Sequence, residues 1–176
     1  MRSITMTVER PEAFVFFGPQ TVQGAELQPG DRAPDFRLLT NKVETVTLAN
    51  YAGKPILISV VPSLDTGVCS RQTVRFNQEA AALSDSAAFL TVSADLPFAQ
   101  SRFCGANDTT AIQTLSDHRD MNFGAAYGTY VVSHRIEQRA VFVIDADGVV
   151  RYAEYVPVAG QEPDYDRAMT ALRELA

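Results

Sequence analysis

The hydrophobic pattern is densest at Ile56-Leu57-Ile58-Ser59-Val60-Val61, an apolar and β-branched run in which only Ser59 is polar. A run without polar alternation suits a central strand covered on both faces. Pro62 ends it and shapes the loop that follows. Ala88 to Ala94 reads as a second central strand. Near the C-terminus, Ala140 to Ile144 and Val149 to Tyr155 are separated by Asp145-Ala146-Asp147-Gly148. Glycine in that turn accepts a positive φ, so the two segments predict an antiparallel pair.

Between the strands the period changes from two to that of a helix. Val68, Phe76, Ala80 and Leu83 predict a helix over Thr66 to Leu83, with Ser63, Asp65 and Thr66 available to cap its start. A short helix is expected from Phe98 to about Cys104, after the turn at Asp95-Leu96-Pro97. Tyr165, Met169, Leu172 and Ala176 form one face of an amphipathic helix beginning near Asp164. At the other end, Thr5 to Phe17 reads as a hairpin turning at Glu9-Arg10-Pro11-Glu12. A proline-rich connector, Gln28 to Pro34, leads to short strands at Phe36 to Leu39 and Val43 to Thr47, then a helical turn at Leu48 to Tyr51. Lesser elements are a strand at Ala111 to Leu115 and a helical turn at Phe123 to Tyr127. Together they predict an α/β fold: a mixed β-sheet with helices on both faces and an N-terminal β-hairpin. We expect one domain over residues 1–176, with the hairpin extension in residues 1–27.

Composition supports an ordinary globular chain: of 176 residues, 46% are hydrophobic and 20% charged. The net charge of -6 provides no cationic field for a phosphate backbone, so nucleic acid is not an expected partner. No apolar run approaches the roughly 20 residues a membrane span requires. The first ten residues lack the features of a secretory signal, and a cytoplasmic location is expected. His118 and His134 stand isolated, which predicts no metal site, and no dinucleotide or phosphate-binding glycine motif occurs, so no cofactor is implied.

The chemistry centres on two cysteines. Cys69 falls in the first turn of the predicted Thr66 to Leu83 helix, directly beyond the end of a buried strand. A helix N-terminus presents unpaired backbone N–H groups and a positive dipole end, which favour thiolate over thiol. Thr66 and the N–H groups of Val68 and Cys69 are placed to hydrogen-bond a small polar ligand beside the sulfur. Cys104, the other cysteine, also follows a strand end. In open α/β sheets, sites gather outside the carboxyl ends of strands. From the residues alone, Cys69 remains either a reactive or an inert buried thiol. Cys104 is either a trap for the oxidised product, core filler, or half of a structural bridge.

Pro62-Ser63-Leu64-Asp65-Thr66-Gly67-Val68-Cys69 resembles the active-site loop of the peroxiredoxins, and within them the bacterial thiol peroxidase group. Arg75-Phe76-Asn77, Asp95-Leu96-Pro97-Phe98-Ala99-Gln100-Ser101-Arg102-Phe103-Cys104, Arg139-Ala140-Val141-Phe142-Val143-Ile144-Asp145 and Glu162-Pro163-Asp164-Tyr165 extend the resemblance from about Gly18 to the end of the sequence. It implies a thioredoxin-like fold and a thiol-specific peroxidase acting on hydrogen peroxide and alkyl hydroperoxides. Cys69 would be the peroxidatic cysteine and Cys104 the resolving one, joined in an intramolecular disulfide that thioredoxin reduces. Arg139 would be the guanidinium beside the thiolate, Pro62 and Thr66 would belong to the same site, and the assembly would be a homodimer.

Two features depart from the family pattern. Several residues precede the usual N-terminal hairpin, and Ile136-Glu137-Gln138 replaces a more apolar stretch, which places Glu137 at a dimer rim or pocket entrance in this reading. Phe98 and Phe103 are candidates for an apolar substrate mouth, against a simpler role in the core. Two other functions fit the cysteines. A disulfide oxidoreductase normally keeps both sulfurs in one Cys-x-x-Cys turn, which is absent here. A redox sensor or binding module switched by a disulfide between Cys69 and Cys104 would need no turnover.

Overall fold

In the computed structural model, residues 7–176 are described. A seven-stranded mixed sheet runs in the order β11-β10-β5-β6-β7-β3-β4. Its centre is β5 (Ile56–Val60), parallel to β6 (Ala88–Ser93), which is parallel to β7 (Gln113–Ser116). On the other side of β5, β10 (Ala140–Ile144) and β11 (Val150–Tyr155) continue the sheet antiparallel. The expected central strands and C-terminal hairpin therefore form, because every residue of β5 and β10 is buried and such runs have no solvent face to show. Short β3 (Leu38–Leu39) and β4 (Thr45–Val46) close the far edge.

Two cores sit on the two faces. Ile56, Ile58 and Val60 of β5 join Leu90, Val92, Phe142 and Ile144 on the face covered by α3 (Asn122–Tyr127), whose Phe123 and Tyr127 rings stack at 4.2 Å. Leu57, Val141 and Val143 point the other way, into α1 (Gly67–Leu83) and α4 (Tyr165–Arg173) through Phe76, Ala80, Ala168, Met169 and Leu172. The α1 stripe differs from the expected one. Its buried face is Cys69, Gln72, Thr73, Phe76 and Ala80, while Val68 and Leu83 lie half-buried. Two polar residues thus occupy the inward face of the first turns.

The hairpin exists with a different turn. β1 (Glu9–Val15) and β2 (Pro19–Gln23) pair antiparallel, and the chain reverses at Phe16-Phe17-Gly18, where Phe16 N–H donates to Gly18 O at 2.9 Å. Gly18 takes φ 120°, a value open to glycine. The Glu9 to Glu12 segment expected to turn instead lies within β1, and a register irregularity between Arg10 and Phe14, with Glu12 at φ 56°, accommodates Pro11. Thr5 of the expected hairpin lies outside the described residues. The hairpin joins β8 (Tyr130–Val131) and β9 (Ile136–Glu137) in a second sheet, ordered β1-β2-β8-β9. Strands of two residues leave no periodic signal, and neither β8 nor β9 was expected.

Glu137 is fully buried in β9, which corrects its expected place at a rim or pocket entrance. Thr129 Oγ1 donates to Glu137 Oε2 at 2.5 Å, and the carboxyl lies beside that of Asp117. Burial first, and then the neighbouring Asp117 charge, push the Glu137 carboxyl well above the ordinary carboxylate range. Its space exists only because Gly124 has no side chain: a Cβ there would lie 2.6 Å from Glu137 Oε2.

Candidate active site

Strand parity decides which side chains meet beneath α1. Ser59 pairs across the sheet with Val141, and Arg139, two residues earlier, keeps the parity of Val141 and Val143. Its side chain therefore emerges on the α1 side of the sheet, next to the buried stripe of the helix. Cys69 and Gln72, three residues apart, are neighbours on that stripe.

The four groups make one network. Arg139 is 1% exposed; its Nη1 donates to Gln72 Oε1 at 2.7 Å, and its Nη2 donates to Ala159 O at 2.8 Å and to Cys69 Sγ at 3.3 Å. Gln72 Nε2 donates in turn to Ser59 Oγ at 2.8 Å. Among the described residues, no carboxylate forms an ion pair with Arg139. Besides Gln72, the Cys69 sulfur is the side-chain group that this buried guanidinium meets.

The helix start is left open. Thr66 occupies the N-cap position with extended backbone, but its side chain does not cap: Oγ1 donates back to Ser63 O at 3.0 Å. Among the described residues no other side chain caps the helix, so N–H groups of its first turn remain available to a ligand. The loop before it is tied down by Asp95, which accepts from Ser63 Oγ at 2.7 Å, Leu64 N at 2.8 Å and Ser93 Oγ at 2.8 Å. A carboxylate taking three hydrogen bonds fixes the loop to the end of β6. Arg102 and Asp65 also pair, at 3.1 Å, but both are exposed and the pair adds little.

Pro62, Thr66 and Arg139 line a cavity of about 400 Å³. Its remaining wall is largely apolar: Val15, Phe16 and Phe17 from the hairpin, with Val68 and Val158. Cys69 is fully buried and is not in this lining; the Arg139 guanidinium connects it to the cavity. The mouth is therefore not built by Phe98 or Phe103. Phe98 is 69% exposed away from the cavity, and Phe103 is packed with Cys69, Val61 and Leu64 in a small apolar cluster. Hairpin residues brought from far in the chain displaced them.

Cys104 sits elsewhere. It lies on α2 (Pro97–Asn107), half-buried, with Sγ 3.5 Å from Thr114 Oγ1 and 3.9 Å from Asn41 Nδ2. It lines a different cavity, of about 740 Å³, together with Asn41, Tyr51 and Thr114. Both cysteines are free thiols, and Cys104 packs against the cluster that contains Cys69 and Phe103. Ser59, Gln72, Asp95 and Phe17 were not anticipated. Ser59 could have been found as the one polar residue in the apolar run, and Gln72 by its spacing from Cys69. Asp95 was legible only as part of a turn and not as the anchor of the Cys69 loop, and nothing local marks Phe17. Among the described residues, no group of three or more His, Cys, Asp or Glu side chains could hold a metal ion.

A cysteine buried at the start of a helix, directly after a central strand and against an uncompensated arginine, defines a thioredoxin-like protein equipped for thiolate chemistry on a small ligand. Comparison with known proteins gives the family. The Redoxin family profile matches residues 28–169. Thiol peroxidase from Bacillus subtilis (strain 168) is 53% identical over 158 residues, 90% of this chain and 94% of the relative. Thiol peroxidase from Staphylococcus aureus (strain MRSA252) is 49% identical over 158 residues, 90% of this chain and 95% of the relative. Among solved structures, a peroxiredoxin-like protein from Aquifex aeolicus superposes with a TM-score of 0.84 at 36% identity, covering 90% of this chain and 94% of that one. The chain belongs to the Redoxin family and, within it, to the peroxiredoxin-type thiol peroxidases.

Proposed function

We propose that Cys69 is the peroxidatic cysteine and that the substrates are hydrogen peroxide and alkyl hydroperoxides. The contact between Arg139 Nη2 and Cys69 Sγ, 3.3 Å long and without a competing carboxylate, carries this reading. The Cys69 thiolate attacks the terminal peroxide oxygen; the O–O bond breaks, the sulfur becomes a sulfenic acid, and the departing oxygen leaves as water or alcohol after taking a proton. Arg139 and the open N–H groups stabilise the charge as it moves from sulfur to the leaving oxygen, which is where preorganised donors act most strongly. Thr66, its proton committed to Ser63 O, offers its lone pairs to the peroxide O–H. Pro62 walls the cavity and keeps water from the sulfur.

Cys104 then condenses with the sulfenic acid, releasing water and forming a disulfide, and a dithiol protein of the thioredoxin type reduces it. Cys69 is buried against Arg139 while Cys104 faces a cavity of its own, so in this reading α2 opens for the step. Its buried residues are Pro97, Gln100 and Phe103, and Phe103 is the buried side chain next to Cys104. Releasing that ring costs about 2 to 3 kcal/mol, within the range of local opening. The family resemblance further supports a cytoplasmic homodimer; no helix among the described residues is long and apolar enough to cross a membrane.

Steady-state consumption of peroxide with thioredoxin and its reductase, for the unaltered protein and for Cys69→Ser, tests the reading. Sustained flux that vanishes in the variant is expected. A single oxidation without turnover would make the chain a redox switch instead.

A further inference from the structure

Ser59 and Gln72 are polar, fully buried, and belong to neither the apolar core nor the surface. We propose that they are positioning residues: a neutral amide, oriented by the Ser59 hydroxyl, holds Arg139 against Cys69 without diminishing its charge. The inference rests on the peroxidatic role of Cys69.

A glutamine side chain carries an acceptor and a donor at nearly equal reach, and only the oxygen can accept from Arg139. Ser59 Oγ accepts from Gln72 Nε2 at 2.8 Å, which turns Oε1 toward Arg139 Nη1 at 2.7 Å. Without Ser59 the amide has no partner on its other side and is free to rotate its NH₂ toward the guanidinium, donor against donor. This explains a hydroxyl inside an otherwise apolar central strand. Its position is also forced: Ser59 shares the sheet face of Leu57, beneath α1, and stands opposite Val141, two residues from Arg139.

Neutrality matters as much as orientation. Ala159 O, the other fixed acceptor of Arg139, is also uncharged. A carboxylate in place of the Gln72 amide would satisfy the same hydrogen bond but would become the counter-ion of Arg139 itself. The sulfur would then face a neutralised pair instead of a full positive charge. A buried network held by neutral hydrogen bonds directs the whole charge of Arg139 at one atom.

The test uses a Cys104→Ser background, so that Cys69 is the one cysteine titrating. Thiolate absorbance at about 240 nm is followed against pH, and single-turnover oxidation by hydrogen peroxide is followed at neutral pH. Gln72→Glu should move the thiolate midpoint upward by about one unit or more and slow oxidation by about tenfold. Gln72→Met, which preserves volume but not the acceptor, should slow oxidation by a similar factor. Ser59→Ala should slow it by about threefold when Gln72 is present and have no effect when combined with Gln72→Met, because its influence passes through the amide. A purely structural role would give additive losses in that cycle and no movement of the midpoint in Gln72→Glu. Either result overturns the proposal, and the cycle decides alone if Gln72→Glu does not fold. A background protein that itself reacts no faster than a free thiol would instead refute the peroxidatic role of Cys69.

Discussion

Arg139 Nη2 lies 3.3 Å from Cys69 Sγ although the two residues are 70 positions apart in the chain. The guanidinium is buried and its other hydrogen bonds go to neutral oxygens, so its charge is free to act on the sulfur and on whatever replaces it during reaction.

Arg139→Lys should therefore cost far more than a conservative exchange usually does. An ammonium cannot bridge Gln72 Oε1, Ala159 O and the sulfur at once with the planar fork of arginine. The second-order rate constant for peroxide should fall about 100-fold, in line with removal of a preorganised donor. Stopped-flow oxidation at neutral pH measures it; a loss below about threefold would remove Arg139 from the reacting centre.

Cys104→Ser should still undergo one rapid oxidation, ending at a sulfenic acid on Cys69 that a dimedone probe labels. Steady turnover with thioredoxin should disappear. If sulfenate does not accumulate, Cys104 is not the group that captures it.

Phe17 is 95% exposed at the rim of the Arg139 cavity, with its ring edge-on to Phe16 at 4.8 Å. An apolar lip of this kind binds an alkyl or aryl tail and offers nothing to a bare peroxide. Phe17→Ser should lower kcat/KM for a bulky aryl hydroperoxide by about tenfold while leaving hydrogen peroxide unchanged. Equal losses for the two substrates would show that the hairpin serves the fold and not selection.

Glu137 sets a pH dependence of stability. Its folded-state ionisation is shifted upward, by burial first and Asp117 second, so the folded protein holds the proton more tightly than the unfolded chain does. The sign follows: the stabilising contribution is complete below the ordinary value of 4.5 and is lost as pH rises through the raised one. Glu137→Gln keeps a neutral group in the same volume at every pH. Its stability relative to the unaltered protein should increase with pH above that point, by at most about 1.4 kcal/mol per unit. Denaturant melts at several pH values test this, and a constant difference would contradict it.

Thr66→Ser should retain most of the activity and Thr66→Val should lose it if, as proposed, the hydroxyl held by Ser63 O meets the peroxide. Since Thr66 does not cap the helix, Thr66→Val should change the melting temperature little. A drop in stability larger than that expected for a lost cap, about 1 kcal/mol, would indicate a structural role instead.

Local rules read from the sequence determined the central strands, the main helices and the placement of Cys69 in a first helical turn, because apolar runs, helical spacing and Pro62 act over a few residues. They also brought Pro62, Thr66 and Cys69 together as one loop, and Arg139 was named through the family resemblance. Other features were decided by tertiary structure. The parity of β5 against β10 set Ser59 and Arg139 under the helix that carries Gln72 and Cys69. Pairing of the hairpin with β8 brought Phe17 to the mouth. A missing side chain at Gly124 gave Glu137 its buried place. Each depends on contacts between segments distant in the chain, and a one-dimensional pattern records which residues are buried without recording what they are buried against.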